Sequence, residues 1–386
     1  MELTARFFKP PPDSYFLFGP RGTGKSLWTQ THYPEALRID LLDPASFRNY
    51  SSRPERLAEL LEGNPTARQV IIDEVQKVPE LLSVVHSLIE SRKKRQFILT
   101  GSSARKLKRS GVDLMAGRAL LRTLHPYMAA ELGNRFDLRK AIKIGLVPLV
   151  VEAPRPADLL ASYATLYLRE EVQAEGLVRN VGTFARFLES VSFSHGAILN
   201  VSNVARECQV ERKTVEGYLD ILEDLLLSLR LPIFTRRAKR ALVAHPKFYF
   251  FDTGVYRSLR PHGPLDQAEE IDGAALEGLV VQHLRAWIAY SELKDELFYW
   301  RTRSGSEVDL VVYGASGLTA LEIKNSARIR PEDLRGLRAF REDYPSCQTF
   351  FLYRGEERRK IDGTLCLPCD EFLTQLRPGH PIWPAR

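Results

Sequence analysis

The sequence predicts an α/β chain of three domains, the first built on a parallel sheet. Three observations carry this. Short apolar runs alternate with helix-like runs from Tyr15 to Leu124. A glycine-rich segment, Gly19-Pro20-Arg21-Gly22-Thr23-Gly24-Lys25-Ser26, follows the first apolar run. Proline-rich joints at Pro154-Arg155-Pro156 and Pro261-His262-Gly263-Pro264 divide the 386 residues into 1–153, 154–262 and 263–386.

In the first domain, strands are expected at Tyr15–Phe18, Leu37–Leu41, Gln69–Asp73, Phe97–Thr100 and Ala119–Leu124, with helices between them. One such helix is Pro79–Glu90, where Pro79 suits the first helical turn. Short, continuously apolar strands alternating with helices imply a parallel sheet covered on both faces. Ligands bind such sheets at the carboxyl ends of the strands.

Gly19–Ser26 is a complete G-x-x-x-x-G-K-S phosphate loop in the strand–loop–helix context it requires. Its glycines let the backbone curl so that N–H groups point at a β-phosphate, at the positive end of a helix starting at Lys25. Lys25 is placed to reach the β- and γ-phosphates, and the Ser26 hydroxyl to ligand Mg²⁺. The strand Gln69–Asp73 runs into Glu74: Asp73 is expected to hold the Mg²⁺ shell and Glu74 to polarise the attacking water. ATP and Mg²⁺ are therefore the expected cofactors. The fourth strand leads into Thr100-Gly101-Ser102-Ser103. Thr100 and Ser102 are candidates to sense the γ-phosphate; a hydroxyl cap on the following helix is the other reading.

Composition bounds the rest. Hydrophobic residues make up 44% of the chain, enough for sizeable cores, and the formal charge of +7 leans toward a polyanionic partner. The longest apolar stretch, Ile144–Val151, contains Pro148 and is far short of a bilayer span, and the N-terminus lacks an apolar leader. A soluble, cytoplasmic protein without membrane contact is expected. Of Cys208, Cys347, Cys366 and Cys369, only the last two are closely spaced, which favours buried thiols over a zinc site.

GPRGTGKS, Val70–Gln76 (VIIDEVQ), Ile98–Ala104 (ILTGSSA) and Ala116–Leu132 together resemble prokaryotic AAA-type ATPases. In that family the ATPase is followed by a half catalogued only as a domain of unknown function. Tyr167–Glu171, Phe250–Gly254 and Leu321–Lys324 resemble the family as well. The resemblance implies an AAA-type core and a homo-oligomer, such as a ring, with ATP sites between subunits. Arg118 matches the family's arginine and is the candidate to reach a γ-phosphate, from a neighbour or in cis; a salt bridge is the alternative.

In the middle segment, Val201–Glu207 reads as a short helix and Glu211–Leu227 as a longer one, at helix-turn-helix spacing. The basic run Arg236–Arg240 and the strand-like Lys247–Phe251 look like the wing of a winged helix. The second helix carries Glu211, Glu216, Asp220, Glu223 and Asp224 against Arg212 and Lys213, so phosphates would repel most of it. DNA contact through the basic wing is the leading reading, and packing against protein the other.

In the last domain, Ser304–Tyr313 reads as a strand, Gly314–Gly317 as a tight turn and Leu318–Lys324 as the return strand. This register sets Asp309 opposite Glu322 and Glu307 opposite Lys324, all on one side of the hairpin. The D…E-x-K arrangement resembles the restriction-endonuclease-like fold. That resemblance implies Mg²⁺ on Asp309 and Glu322, with Lys324 orienting water or stabilising the phosphorane and Glu277 added from the preceding helix. A solvated face with a Glu307–Lys324 ion pair is the alternative. The reading is an ATP-hydrolysing motor on duplex or branched DNA, a helicase or translocase, whose last domain grips or cleaves. The alternative is an ATP-dependent switch whose C-terminal half binds a protein.

Overall fold

The computed structural model describes residues 4–91, 95–103, 118–164, 180–236, 240, 242, 245–264 and 266–383. They gather into two compact units. One runs from Phe8 to His125 and takes in Asp224–Leu226; the other holds the residues through Phe7, Pro126–Glu223 and Leu227 onward. Both expected joints, 153/154 and 262/263, fall inside the second unit.

In the first unit, β1 (Tyr15–Phe18), β2 (Leu37–Asp40), β3 (Gln69–Asp73), β4 (Gln96–Gly101) and β5 (Leu120–Thr123) form one sheet in the order β2-β3-β4-β1-β5. Every neighbouring pair is parallel. Alternate residues of the strands, Phe16, Phe18, Val70, Ile72, Phe97 and Leu99, share one face and pack on Leu57, Leu61, Leu81 and Val85 from the helices. The expected helix over Pro79–Glu90 starts at Leu81, because the chain leaves β3 through a left-handed Glu74 (φ 58°) and a 3₁₀ turn at Val75–Lys77. β4 lies between β1 and β3, with Leu17 beside Thr100 and Ile72 beside Leu99. The loop after β1, the end of β4 and Asp73 are thereby brought side by side.

In the second unit, the helix Val181–Ser192, β6 (Ala197–Ile198), the helices Val201–Cys208 and Arg212–Asp224, β7 (Ser228–Leu231) and β8 (Lys247–Phe250) follow one another. The three strands form an antiparallel sheet in the order β6-β8-β7. Gln209 makes the turn between the two helices in the left-handed conformation (φ 56°). The second helix stops at Asp224, short of the expected Leu227, because Leu226 turns left-handed (φ 60°) and Leu227 N–H returns to Leu222 O at 2.8 Å.

The helix Ala268–Ser291 leads into β9 (Glu296–Arg301), β10 (Glu307–Gly314), β11 (Gly317–Ile323), the helix Arg335–Asp343, β12 (Gln348–Tyr353), β13 (Arg359–Ile361), β14 (Thr364–Pro368) and the helix Cys369–Gln375. Their sheet runs β13-β14-β12-β11-β10-β9, antiparallel from β9 to β11 and parallel from β11 through β12 to β14. Tyr313 pairs with Leu318, and Gly314 with Gly317, so the hairpin turns on two residues, Ala315 and Ser316.

The described residues in and beside the segment expected as a wing lie against this second sheet. Phe234 N–H bonds Tyr299 O at 2.7 Å, Tyr299 N–H bonds Pro232 O at 3.0 Å, and the Phe234 ring joins Trp300, Val308, Val311 and Phe340 in one core. Arg236 pairs with Glu296 at 2.6 Å and covers the Tyr313 ring, and Arg240 pairs with Glu342 and Asp343. Arg237, Ala238 and Lys239 lie outside the described residues, as do Tyr167–Glu171 and residues 116–117 of the family motifs.

Candidate functional site

Gly19 follows β1 so close to the residue after β5 that a Cβ there would lie 2.5 Å from Leu124 O. Gly22 and Gly24 take positive φ (81° and 89°), which curls the loop into the helix Lys25–His32. Thr23 is buried, and its hydroxyl donates to Pro20 O at 2.8 Å. The Lys25 ammonium donates to Gly19 O at 2.7 Å and Pro20 O at 3.3 Å, inside the curve of the loop. Arg21 is exposed.

Ser26 Oγ donates to Asp73 Oδ2 at 2.6 Å, and the Thr100 hydroxyl donates to Asp73 Oδ1. Two oxygens from Ser26 and Asp73, one of them anionic, suit a hard cation that keeps its remaining ligands from water and phosphate. Thr100 Oγ1 also accepts Glu74 N–H at 3.3 Å. Gln76 is the residue that motif reading passed over: its amide donates to Glu74 Oε2 at 2.5 Å and to Ser102 Oγ at 3.2 Å. The spacing Glu74-x-Gln76 carries no signal by itself, since only the 3₁₀ turn folds the amide back onto the carboxylate.

Arg118 is elsewhere. It precedes β5, at the amino ends of the parallel strands, and pairs with Glu90 at 2.7 Å. A four-residue strand separates that edge from the phosphate loop, roughly 13 Å of backbone. Arg118 therefore lies away from the phosphate loop of its own chain.

Of the residues expected at a metal, Glu277 and Asp309 converge on a lysine together with Glu307, while Glu322 pairs with Lys324 instead. Lys247, the first residue of β8, is 3% exposed, with Nζ 3.0 Å from Glu277 Oε1, 2.7 Å from Glu307 Oε1 and 3.5 Å from Asp309 Oδ1. Glu277 also accepts the Tyr249 hydroxyl at 2.5 Å, Glu322 pairs with Lys324 at 2.6 Å, and Arg301 pairs with Glu307 at 3.1 Å. Asp309 Oδ2 accepts Ile323 N–H at 2.8 Å. Burial pushes Glu277 up to about 7 against the pull of Lys247, and burial with the Asp309 charge lifts Glu322 well above the carboxylate range. Burial opposes the charge on Lys247, yet Glu277, Tyr249, Asp309 and Glu307 hold its proton more tightly than usual. Lys324 likewise keeps its proton against burial, through Asp309 and Glu322.

Among the described residues, no group of three or more His, Cys, Asp or Glu side chains is set to hold a metal ion. Within the expected Mg²⁺ ligand set Glu277, Asp309 and Glu322, the Lys247 ammonium lies against Glu277 and Asp309, and Lys324 against Glu322. Neither composition nor motif pointed to Lys247, which lies in another sequence segment.

At the adjoining end of the sheet, Arg303 lies in the β9–β10 turn, Arg328 and Arg330 follow β11, and Arg335 opens its helix beside Gly336, whose Cβ would touch Glu307 O. All four are exposed, and none forms an ion pair among the described residues. Phe250–Gly254, by contrast, is a clamp. Asp252 is 1% exposed and accepts Leu146 N–H at 2.7 Å, Gly254 N–H at 2.9 Å and Val255 N–H at 3.2 Å; burial pushes it up to about 6. Cys366 and Cys369 are buried, and burial raises both thiols, to about 11 and about 12. Among the described residues no helix is long and apolar enough to cross a membrane.

Three family models match the chain in succession: an AAA domain over residues 12–133, a domain of unknown function (DUF8612) over 135–266 and another (DUF4143) over 272–372. The chain therefore carries an AAA-type ATPase domain, followed by two segments without an assigned role. Uncharacterized proteins of Mycobacterium tuberculosis and Mycobacterium bovis are each 28% identical over 314 residues, covering 79% of this chain and 69% of theirs. A solved structure of the replication initiator DnaA bound to AMPPCP and single-stranded DNA aligns with 56% of this chain and 83% of its own, at 13% identity and a TM-score of 0.27, too low to carry a shared fold.

Proposed function

We propose that the chain is an ATP-hydrolysing motor acting on DNA, in which the AAA domain supplies the cycle and the C-terminal half grips the phosphate backbone. The observation that carries the grip is the group of exposed arginines, Arg303, Arg328, Arg330 and Arg335, gathered at one end of a sheet without carboxylate partners among the described residues. Arginine forks on a rigid edge suit phosphate oxygens. Helix, strand, two helices and two strands, with β8 central, support a winged helix in the middle segment. A helix followed by three antiparallel strands, a helix and a parallel strand supports a restriction-endonuclease-like last domain. ATP binds Gly19–Ser26 with Mg²⁺ on Ser26 and Asp73, Glu74 activates water, and Thr100 and Ser102 report the γ-phosphate. Arg118 serves a neighbour's site in a homo-oligomer.

The test is DNA binding and DNA-stimulated ATP turnover across a salt series. Affinity should fall steeply with salt, and alanine at all four exposed arginines should flatten the slope. Alanine at Arg236 and Arg240, which are already paired, should leave it nearly unchanged. Absence of binding at low salt with ATP present would refute the motor. It would favour the switch acting on a protein partner, a reading supported by the acidic helix Arg212–Asp224, where Asp220 is exposed, and by the exposed Glu211 just before it.

A further inference from the structure

A site for a divalent cation needs oxygen atoms facing a vacant centre. Mg²⁺ draws its ligands to about 2.1 Å in an octahedron. In the C-terminal cluster that centre holds Lys247 Nζ, within 3.5 Å of oxygens from Glu277, Glu307 and Asp309. A second cation bridging Glu277 and Asp309 would stand within a few ångströms of a buried ammonium, where like charges in a low dielectric repel strongly. The other carboxylate oxygens are mostly committed: Asp309 Oδ2 to Ile323 N–H, Glu307 Oε2 to Arg301 and Glu322 Oε1 to Lys324. Glu322 Oε2 alone in this cluster is buried without a hydrogen-bond partner, and one oxygen does not make a site. Four acidic groups thus face three basic ones, Lys247, Lys324 and Arg301, and the cluster is close to charge balance without an external ion.

The ammonium is also fixed in place. Lys247 opens β8 and pairs with both Ile198 and Leu231 across its sheet, and its Nζ lies over the Tyr299 ring at 5.7 Å.

We propose that Lys247 is a built-in cation standing where a divalent metal would otherwise bind, so that the cluster is a metal-free ionic core and the last domain does not cleave phosphodiesters. This holds whatever the exposed arginines bind, and the experiment uses no DNA. The full-length chain, free of nucleotide, is titrated with Mn²⁺ while free Mn²⁺ is followed by electron paramagnetic resonance, with circular dichroism checking the fold of each variant. Wild type should show no Mn²⁺ site that Asp309→Asn removes. Lys247→Gln should gain one, at least tenfold tighter than any background binding, and Lys247→Gln with Asp309→Asn should lose it again; Lys247→Arg, which keeps the charge, should behave as wild type. Wild-type Mn²⁺ binding abolished by Asp309→Asn overturns the proposal, as does a folded Lys247→Gln that gains nothing. If Lys247→Gln fails to fold, the comparison of wild type with Asp309→Asn decides the matter alone.

Discussion

Alanine at Gly19 tests whether the phosphate loop depends on its close approach to the neighbouring strand. The new Cβ would lie 2.5 Å from Leu124 O and 3.1 Å from Thr23 Oγ1, so the first contact is about 0.9 Å too short. Leu124 has no freedom to retreat, since its N–H is bonded to Phe18 O at 2.7 Å. The loop itself must move. Forced overpacking of this kind costs about 1–3 kcal/mol. If the free loop relaxes and the strain returns on binding, nucleotide affinity falls about 5- to 150-fold. Gly24→Ala separates conformation from crowding: nothing lies within 4 Å, but φ is +89°, so roughly 1–2 kcal/mol and a smaller loss are expected. Gly63→Ala, in open space at a helix end, should change neither. The assay is fluorescence anisotropy of a labelled ATP analogue at fixed Mg²⁺, with thermal melts alongside. Wild-type affinity in a folded Gly19→Ala would refute the argument that contact with Leu124 sets the loop's shape.

Glu74→Gln should retain nucleotide binding while phosphate release slows by about 10²- to 10⁴-fold, as expected for loss of a general base; hydrolysis at the wild-type rate would remove Glu74 from that role. Arg118→Ala and Lys25→Ala should each be nearly inactive alone, and mixing the two should restore ATP turnover through composite sites; no recovery on mixing would refute action on a neighbour. Glu277 has a folded-state value near 7, above its unfolded one, so its stabilising contribution is complete below about 4.5 and disappears as pH rises through 7. Urea midpoints from pH 5 to 8 should therefore fall less steeply in Glu277→Gln than in wild type, and an unchanged slope would count against a buried, proton-binding Glu277.

The sequence shows most plainly what backbone chemistry dictates locally. The phosphate loop, the strand ending in Asp73 and the hairpin register from Tyr313 and Leu318 follow from glycine spacing and period-two alternation, and each is found where that pattern puts it. Less visible are interactions closed by tertiary folding. Gln76 reaches Glu74 only because Glu74 adopts a left-handed conformation that its side chain does not advertise. Leu226 ends a helix although leucine favours helices. Lys247 is separated from Asp309 by most of the last domain's first half, and a lone lysine at a strand start looks like any solvated cation. The basic run after β7 reads as a free wing because its partners, Glu296, Glu342 and Asp343, belong to distant elements.

The strap from β7 to β8 bears on how this gene can be cut and inherited. A break at the proline joint near 262 follows the boundary between matched family segments, yet it would take Phe234 away from Trp300 and Phe340 and remove the only cation that Glu277 and Asp309 share with Glu307 among the described residues. A fragment starting there would present a greasy cleft and a knot of unbalanced acid. The two segments are therefore expected to travel through evolution as a pair, and a soluble expression fragment should begin ahead of Phe234.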